Sequence, residues 1–90
     1  MKKIRIKEWL FDKVQNEARR HNIFIDTPER TNDEFRKAVV HDDGTVLVIA
    51  EETLSETDKA IKVRLSSGSV VGSHKGWILW APKSQIVFEN

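Results

Sequence analysis

Residues 76–89 read GWILWAPKSQIVFE, and this segment is the most informative one for the architecture. Residues 76–81 form a short apolar run that is typical of a β-strand. Pro82 must end that strand, because proline fixes φ and lacks the amide donor that a ladder needs. The turn that follows is expected to be a single 3₁₀ turn, after which residues 86–89 form a short closing strand.

Residues 59–65 give the clearest strand signal elsewhere in the chain. Apolar residues at positions 61, 63 and 65 alternate with Lys62 and Arg64. Because side chains of a strand point alternately to its two faces, this strand is expected to present a basic outward face. It follows residues 51–58, which are expected to form an acidic connection, and precedes a flexible loop at residues 66–76.

Two further strands are expected over residues 35–41 and 45–50, which are rich in valine and isoleucine. They flank Asp42-Asp43-Gly44, and Asp-Gly between two apolar runs is a strong hairpin signal.

Residues 6–21 predict an amphipathic helix, because apolar side chains recur on one face at helical spacing. A short strand before it remains an alternative, since Ile4 and Ile6 alternate with Arg5 and Lys7. Asn22 suits a left-handed cap at the helix end. The predicted apolar face consists of Ile6, Leu10, Val14, Ala18 and His21.

Together these elements predict a single α+β domain over residues 1–90. An N-terminal amphipathic helix would pack on a small, mostly antiparallel five-stranded β-barrel or curved sheet, with the barrel strands within residues 35–89. The ending resembles that of Src-homology-3-like barrels, whose last two strands are joined by a similar turn. That resemblance concerns the fold alone.

The chain has 90 residues, 15 Lys+Arg and 14 Asp+Glu, for a formal charge of +1. A domain of this size has a modest core, which favours a binding module, an inhibitor or a subunit over an enzyme with a deep cavity. Its charge is unevenly distributed: residues 1–30 carry a net +3, residues 31–58 a net −6 and residues 59–90 a net +4. A positive patch is therefore compatible with the near-neutral total.

Several kinds of chemistry find no support in the sequence. Cysteine is absent, which excludes disulfides and thiolate sites, and the three histidines show no metal-ligand spacing. We therefore expect no enzyme, no metal and no cofactor. The sequence has no apolar run that would cross a membrane and no signal peptide. We therefore expect no membrane partner, and we expect a cytoplasmic location.

Residues 57–63 (TDKAIKV) and 80–86 (WAPKSQI) resemble a kind of small domain common in phage, prophage and bacterial replication-associated proteins. In that domain a Thr-x-Lys-Ala strand precedes a Trp-x-Pro-Lys-Ser-Gln-Ile ending. The longer loop at residues 66–76 departs from the pattern. The resemblance covers about a third of the chain and implies a small barrel in a mobile-element or nucleic-acid context, with no assigned activity.

The leading functional hypothesis is an accessory protein that binds nucleic acid, or a nucleoprotein complex, through its basic C-terminal strands. Basic side chains attract phosphates, and aromatic faces stack on bases. Trp77 and Trp80 are three positions apart, so in a strand they face opposite sides; the alternative is that the core covers one and the helix the other. The candidate residues are Lys59, Lys62, Arg64, Lys75, Trp77, Trp80 and Lys83.

The alternative hypothesis is a protein-interaction module that inhibits a host enzyme, of the anti-CRISPR or anti-restriction type. It would act through an apolar patch or through an acidic stretch that mimics phosphates. The acidic candidates are Asp42, Asp43, Glu51, Glu52, Glu56 and Asp58. A homodimer formed by an edge strand such as residues 86–89 is a third possibility.

Overall fold

The computed structural model describes residues 2–69 and 76–88 of the chain. Within these ranges the chain forms one α-helix, seven β-strands and one 3₁₀ turn, which confirms the α+β class. In chain order they are β1 (Lys2–Lys7), α1 (Glu8–Arg19), β2 (Ile23–Ile25), β3 (Thr45–Glu56), β4 (Ala60–Leu65), β5 (Ser67–Ser69), β6 (Trp77–Pro82), the 3₁₀ turn (Lys83–Gln85) and β7 (Ile86–Phe88).

Five of these strands form one antiparallel sheet in the order β6-β4-β3-β1-β7, while β2 pairs with β5 separately. β3 is long enough to pair with two neighbours at different points along its length. Its residues 45–50 pair with β1, and its residues 50–56 pair with β4. β1 also pairs with β7, so the first strand of the chain lies inside the sheet.

The two edge strands, β6 and β7, are consecutive along the chain. Four flat inter-strand spacings of about 4.8 Å would place the two edges roughly 19 Å apart. The connection from Pro82 to Ile86 has only four peptide steps, which span at most about 14 Å. The sheet is therefore strongly curved. Since β6 and β7 do not pair with each other in the described residues, the curved sheet is not a closed barrel.

The core lies between the inner face of this sheet and α1. Strands contribute every second residue to it, and the helix contributes residues at its own spacing of three and four. The buried cluster consists of Ile4, Ile6, Leu10, Phe11, Val14, Ala18, Ile25, Val46, Val48, Ala50, Ile61, Val63, Leu65, Leu79, Ala81 and Ile86.

The predicted helix at residues 6–21 is too long at both ends, since α1 spans Glu8–Arg19. Ile6 belongs to β1, where it is fully buried beside Val46 of β3. The strand alternative was therefore correct here, and one strand of the sheet lies outside the predicted range of residues 35–89. The left-handed backbone of Asn22, with φ of 59°, is confirmed.

The predicted strand at residues 35–41 is wrong: this segment makes only the isolated bridges Arg30–Ala38 and Val40–Val46. The reason is Asp33, whose Oδ1 accepts the backbone N–H groups of Phe35 and Arg36 at 3.0 Å each. These bonds hold the segment in a loop. The reversal at residues 42–44 is confirmed by the hydrogen bond from Gly44 N to the His41 carbonyl at 2.8 Å.

Residues 51–56 also depart from prediction, because they continue β3 instead of forming an acidic connection. Pairing with β4 supplies their backbone with ladder partners that no local pattern of the sequence indicates. The register shifts between Ala50 and Glu52 and again between Thr53 and Ser55. As a result the acidic residues lie beside the basic strand β4.

Candidate nucleic-acid interface

The outward sides of β4 and β6 form one surface on which cations and apolar side chains are neighbours. Lys62 is directly opposite Trp80 in the antiparallel register, and Arg64 is directly opposite Ile78. Directly opposed side chains in such a pair have Cβ atoms about 5 Å apart. We call these four residues the β4–β6 face.

The two tryptophans of β6 have different surroundings. Trp77 is half-buried and packs against the core, with its ring centroid 5.8 Å from that of His21. Trp80 is 52% exposed, although it is one of the largest apolar side chains in the chain. The alternative in which both rings are covered is therefore wrong for Trp80. Trp77 is packed against the core and lies on the opposite side of β6 from Trp80, so it does not contribute to the face.

Acidic side chains neutralise part of the predicted basic set. Arg64 forms an ion pair with Glu52 of the neighbouring strand β3. Lys83 forms an ion pair with Glu56, and this hydrogen bond holds the pKa of the Glu56 carboxyl below its usual value. These pairs are exposed, so solvent weakens them, and a competing phosphate can replace the carboxylate.

Two lysines of the predicted basic set differ from Lys83 in this respect. Within residues 2–69 and 76–88, no carboxylate lies within ion-pair distance of Lys59 or Lys62. The Lys59 carbonyl accepts the Lys83 N–H at 2.8 Å, which holds these two residues at one end of the β4–β6 face. Lys75 lies outside the described residues. The structure therefore places Lys59 and Lys83 next to the face.

Gly76 fixes the position of the Arg64 side chain. Its backbone has φ of +71°, and a Cβ there would lie 2.7 Å from Arg64 Cδ and 2.9 Å from Arg64 Cγ. The aliphatic part of Arg64 thus packs directly against the backbone, which leaves its guanidinium beside Glu52 at the surface. Glu51 also belongs to this neighbourhood, since its Oε1 would be 3.4 Å from the same Cβ.

The acidic candidates do not form one cluster, because they are spread along the whole length of β3, with Glu51 and Glu52 inside the strand. Asp42 and Asp43 precede it, whereas Glu56 and Asp58 lie at its far end, about 35 Å of extended chain away. Asp43 also pairs with Arg5 at 2.8 Å. Its pKa is lowered, chiefly by the hydrogen bond from the Thr45 hydroxyl and further by the charge of Arg5.

Three cations of β1 were missed as candidate surface residues. Lys3, Arg5 and Lys7 alternate with the buried Ile4 and Ile6, so they lie on the outward face of the sheet. The alternation of isoleucine with basic residues was the signal that identifies them. They lie on the β1 side of β3, away from the β4–β6 face, because β3 pairs with β1 and β4 over different halves.

Other kinds of site receive no support from the described part of the chain. No group of three or more His, Asp or Glu residues there is arranged to hold a metal ion. Nor does any helix in those residues have the length and apolar character needed to cross a membrane. Comparison with protein-family models, with curated proteins and with the solved structures gave no match to this chain.

Proposed function

We propose that this chain is a non-enzymatic accessory protein that binds single-stranded nucleic acid through the β4–β6 face. The observation that supports it best is the half-exposed ring of Trp80 directly opposite Lys62, which has no ion-pair partner among the described residues. Exposure alone does not distinguish Trp80, since Trp9 is exposed to a similar degree, but Trp80 is directly opposite Lys62. Next to a cation, it combines the two groups from which single-strand binding sites are built.

Trp80 and Lys62 would bind different parts of a nucleic-acid strand. One base stacks on the Trp80 indole, and the adjacent phosphate is attracted to the Lys62 ammonium. Arg64 exchanges Glu52 for a second phosphate, which its guanidinium can bind in bidentate fashion. Bases of a duplex already stack on each other, so the indole face is available mainly to a single strand.

The proposed biological context is a phage or prophage protein. It is supported by the likeness of residues 57–63 and 80–86 to small domains of mobile elements. The first segment spans the turn before β4 and the first four residues of β4, and the second spans the end of β6, the 3₁₀ turn and the start of β7. They meet where Lys83 N bonds to the Lys59 carbonyl. They contain Lys62 and Trp80, two of the four residues of the β4–β6 face.

A second candidate function is inhibition of a host protein through the same face. It is supported by Ile78, which is 44% exposed beside Trp80. Two adjacent exposed apolar side chains also suit a protein contact. The acidic stretch supports this alternative less well, since Asp43, Glu52 and Glu56 each pair with a cation of the chain itself.

The experiment that tests the proposal is a titration of a fluorescent oligonucleotide of about 12 nucleotides, single-stranded or duplex, at several salt concentrations. We expect the single strand to bind more tightly and to quench tryptophan fluorescence. In the variant Lys62→Ala/Arg64→Ala, the slope of log K against log salt should become shallower by about 1.4, because two phosphate contacts are lost.

The matched control is Lys13→Ala/Arg20→Ala, which removes one lysine and one arginine from exposed positions in and after α1. It should bind like the unmodified protein. Absence of binding at low salt, where electrostatic attraction is strongest, would refute the proposal. Capture of one host protein after nuclease treatment, abolished by Ile78→Ala, would then support inhibition instead.

A further inference from the structure

A groove of about 500 Å³ lies between α1 and the segment of residues 27–40, and it is unrelated to the β4–β6 face. Small-molecule sites in proteins usually have volumes of about 300–1,000 Å³. The floor is formed partly by α1 and the end of β2, and one rim is formed by the loop that replaces the predicted strand at residues 35–41.

The rim carries an aromatic ring and several cations. Phe35 is 69% exposed, and the Lys37 ammonium lies 5.5 Å from the centre of its ring. Arg30 donates to the Arg36 carbonyl at 2.9 Å, and Arg36 has φ of 46°. Within the described ranges none of these three cations forms an ion pair with a carboxylate. The backbone N–H of Arg36 chiefly lowers the pKa of the Asp33 carboxyl, and Lys37 is close enough for its charge to help, but among the described residues neither it nor the two arginines is held in an ion pair that an anion would have to break.

Two polar side-chain atoms in the floor lack hydrogen-bond partners in the described residues. Gln15 Oε1 accepts the Ile25 N–H at 3.2 Å, but Gln15 Nε2 has no acceptor, and Thr27 Oγ1 is also unpartnered. Gln15 is 9% exposed and Thr27 is 8% exposed. Unpaired buried donors are costly. Gln15 Nε2 and Thr27 Oγ1 are therefore two buried polar atoms of groove-lining residues to which the described chain supplies no hydrogen bond.

The α1 side of the groove adds carboxylates. Glu8 and Asp12 line it together with Arg19, whereas Arg36 and Lys37 line the loop side. A ligand that suits both walls has an anionic end for the cations and hydroxyl or amino donors for the carboxylates. A planar ring between these ends would suit the Phe35 side chain. Simple acidic peptides and inorganic anions lack this combination.

We infer that this groove binds a nucleoside phosphate. The phosphate would lie against Arg30, Arg36 and Lys37, the base would stack on Phe35, and the ribose hydroxyls would donate to the α1 carboxylates. Free nucleotides and the terminal nucleotide of a strand present the same chemistry. This inference does not depend on the β4–β6 face, because it rests on different residues.

The test is NMR titration of the ¹⁵N-labelled protein with adenosine 5′-monophosphate, up to about 10 mM. We expect shifts of the Gln15 side-chain amide and of the backbone amides at residues 35–37. The Gln85 side-chain amide, which lies in the 3₁₀ turn, serves as the internal control. Adenosine alone and inorganic phosphate alone should each bind more weakly than the nucleotide.

Two variants of exposed rim residues keep the test independent of folding. Arg36→Asn/Lys37→Gln retains a residue that tolerates positive φ and should weaken nucleotide binding about tenfold or more. Phe35→Ala should weaken adenosine 5′-monophosphate but leave phosphate unchanged. Lys13→Gln/Arg20→Asn is the matched charge control and should bind normally.

Three outcomes would overturn the inference. They are unmoved groove resonances at the highest concentration, equal nucleotide affinity in Arg36→Asn/Lys37→Gln, and shifts with an acidic peptide but not with the nucleotide. A 5′-phosphorylated tetranucleotide, titrated into the Lys62→Ala/Arg64→Ala variant and followed at the amides of residues 35–37, distinguishes a strand terminus from a free nucleotide. Tighter binding than the mononucleotide at these amides indicates a strand terminus, whereas equal or weaker binding indicates a free nucleotide. Mononucleotide binding itself should be the same in this variant as in the unmodified protein.

Discussion

Replacing Trp80 by alanine is the most direct perturbation of the β4–β6 face. Stacking of a base on an aromatic side chain contributes about 1–3 kcal/mol, as judged by alanine substitution. One indole with a 52% exposed surface offers a platform for one base. We therefore expect the dissociation constant for a single-stranded oligonucleotide to rise about 5- to 150-fold. Fluorescence anisotropy at constant salt measures this change.

Trp9 provides the matched control for the Trp80 substitution. It is 55% exposed, so its replacement removes a similar amount of buried side chain. Its indole N–H donates to Gln85 Oε1 at 2.9 Å, and Trp9 belongs to α1 and not to β4 or β6. Trp9→Ala should therefore bind the strand like the unmodified protein, while Trp80→Phe, which retains a ring, should recover most of the affinity lost in Trp80→Ala.

The reasoning fails if Trp80→Ala binds within about twofold of the unmodified protein. It also fails if Trp9→Ala and Trp80→Ala lose affinity equally, since that would indicate a general loss of fold. Thermal unfolding of each variant separates these cases. A loss confined to Trp80→Ala, at an unchanged unfolding temperature, supports stacking on this ring.

Two predictions concern stability. Gly76→Ala should lower the free energy of unfolding by about 1–3 kcal/mol, because it combines positive φ with a clash against Arg64. Gly44→Ala has a similar φ of +77° but nothing within 4 Å, so it should cost less; equal losses in urea unfolding would refute the clash. Because the pKa of Asp43 is lowered in the folded state, chiefly by the Thr45 hydroxyl, the unfolded state takes up the proton first as pH falls. The contribution of Asp43 to the free energy of unfolding should then be present near neutral pH and be lost as the pH falls below about 4. Asp43→Asn should make the loss of stability in acid less steep. An unchanged dependence of stability on pH in this variant would contradict the assignment.

The elements predicted best from sequence were those with a strong local pattern. Strict alternation around Lys62 identified β4, and Pro82 identified the end of β6 and the 3₁₀ turn. The predicted helix began two residues too early, because Ile6 fits both a helical face and a strand. Phe35 lies in a run typical of a strand, yet Asp33 holds its amide in a loop.

The sequence predicted which residues of the candidate face point outward, but it did not predict which of their charges are paired. Alternation indicated that Lys62 faces outward and that Trp77 and Trp80 face opposite sides, and burial confirms the second point. The ion pair of Arg64 with Glu52 was not predictable, because it depends on two register shifts between β3 and β4. Such irregularities arise from tertiary packing and leave no local signal.

The pairing of β1 with β7 has a consequence for biosynthesis. Ile4 lies opposite Phe88 in the antiparallel register, so residues 84 positions apart in the sequence become neighbours. Contacts of such long sequence separation slow folding. During translation, β1 leaves the ribosome first but gains its second neighbour only when β7 has been made. Until then its buried isoleucines have an open edge, which other chains or a chaperone can reach.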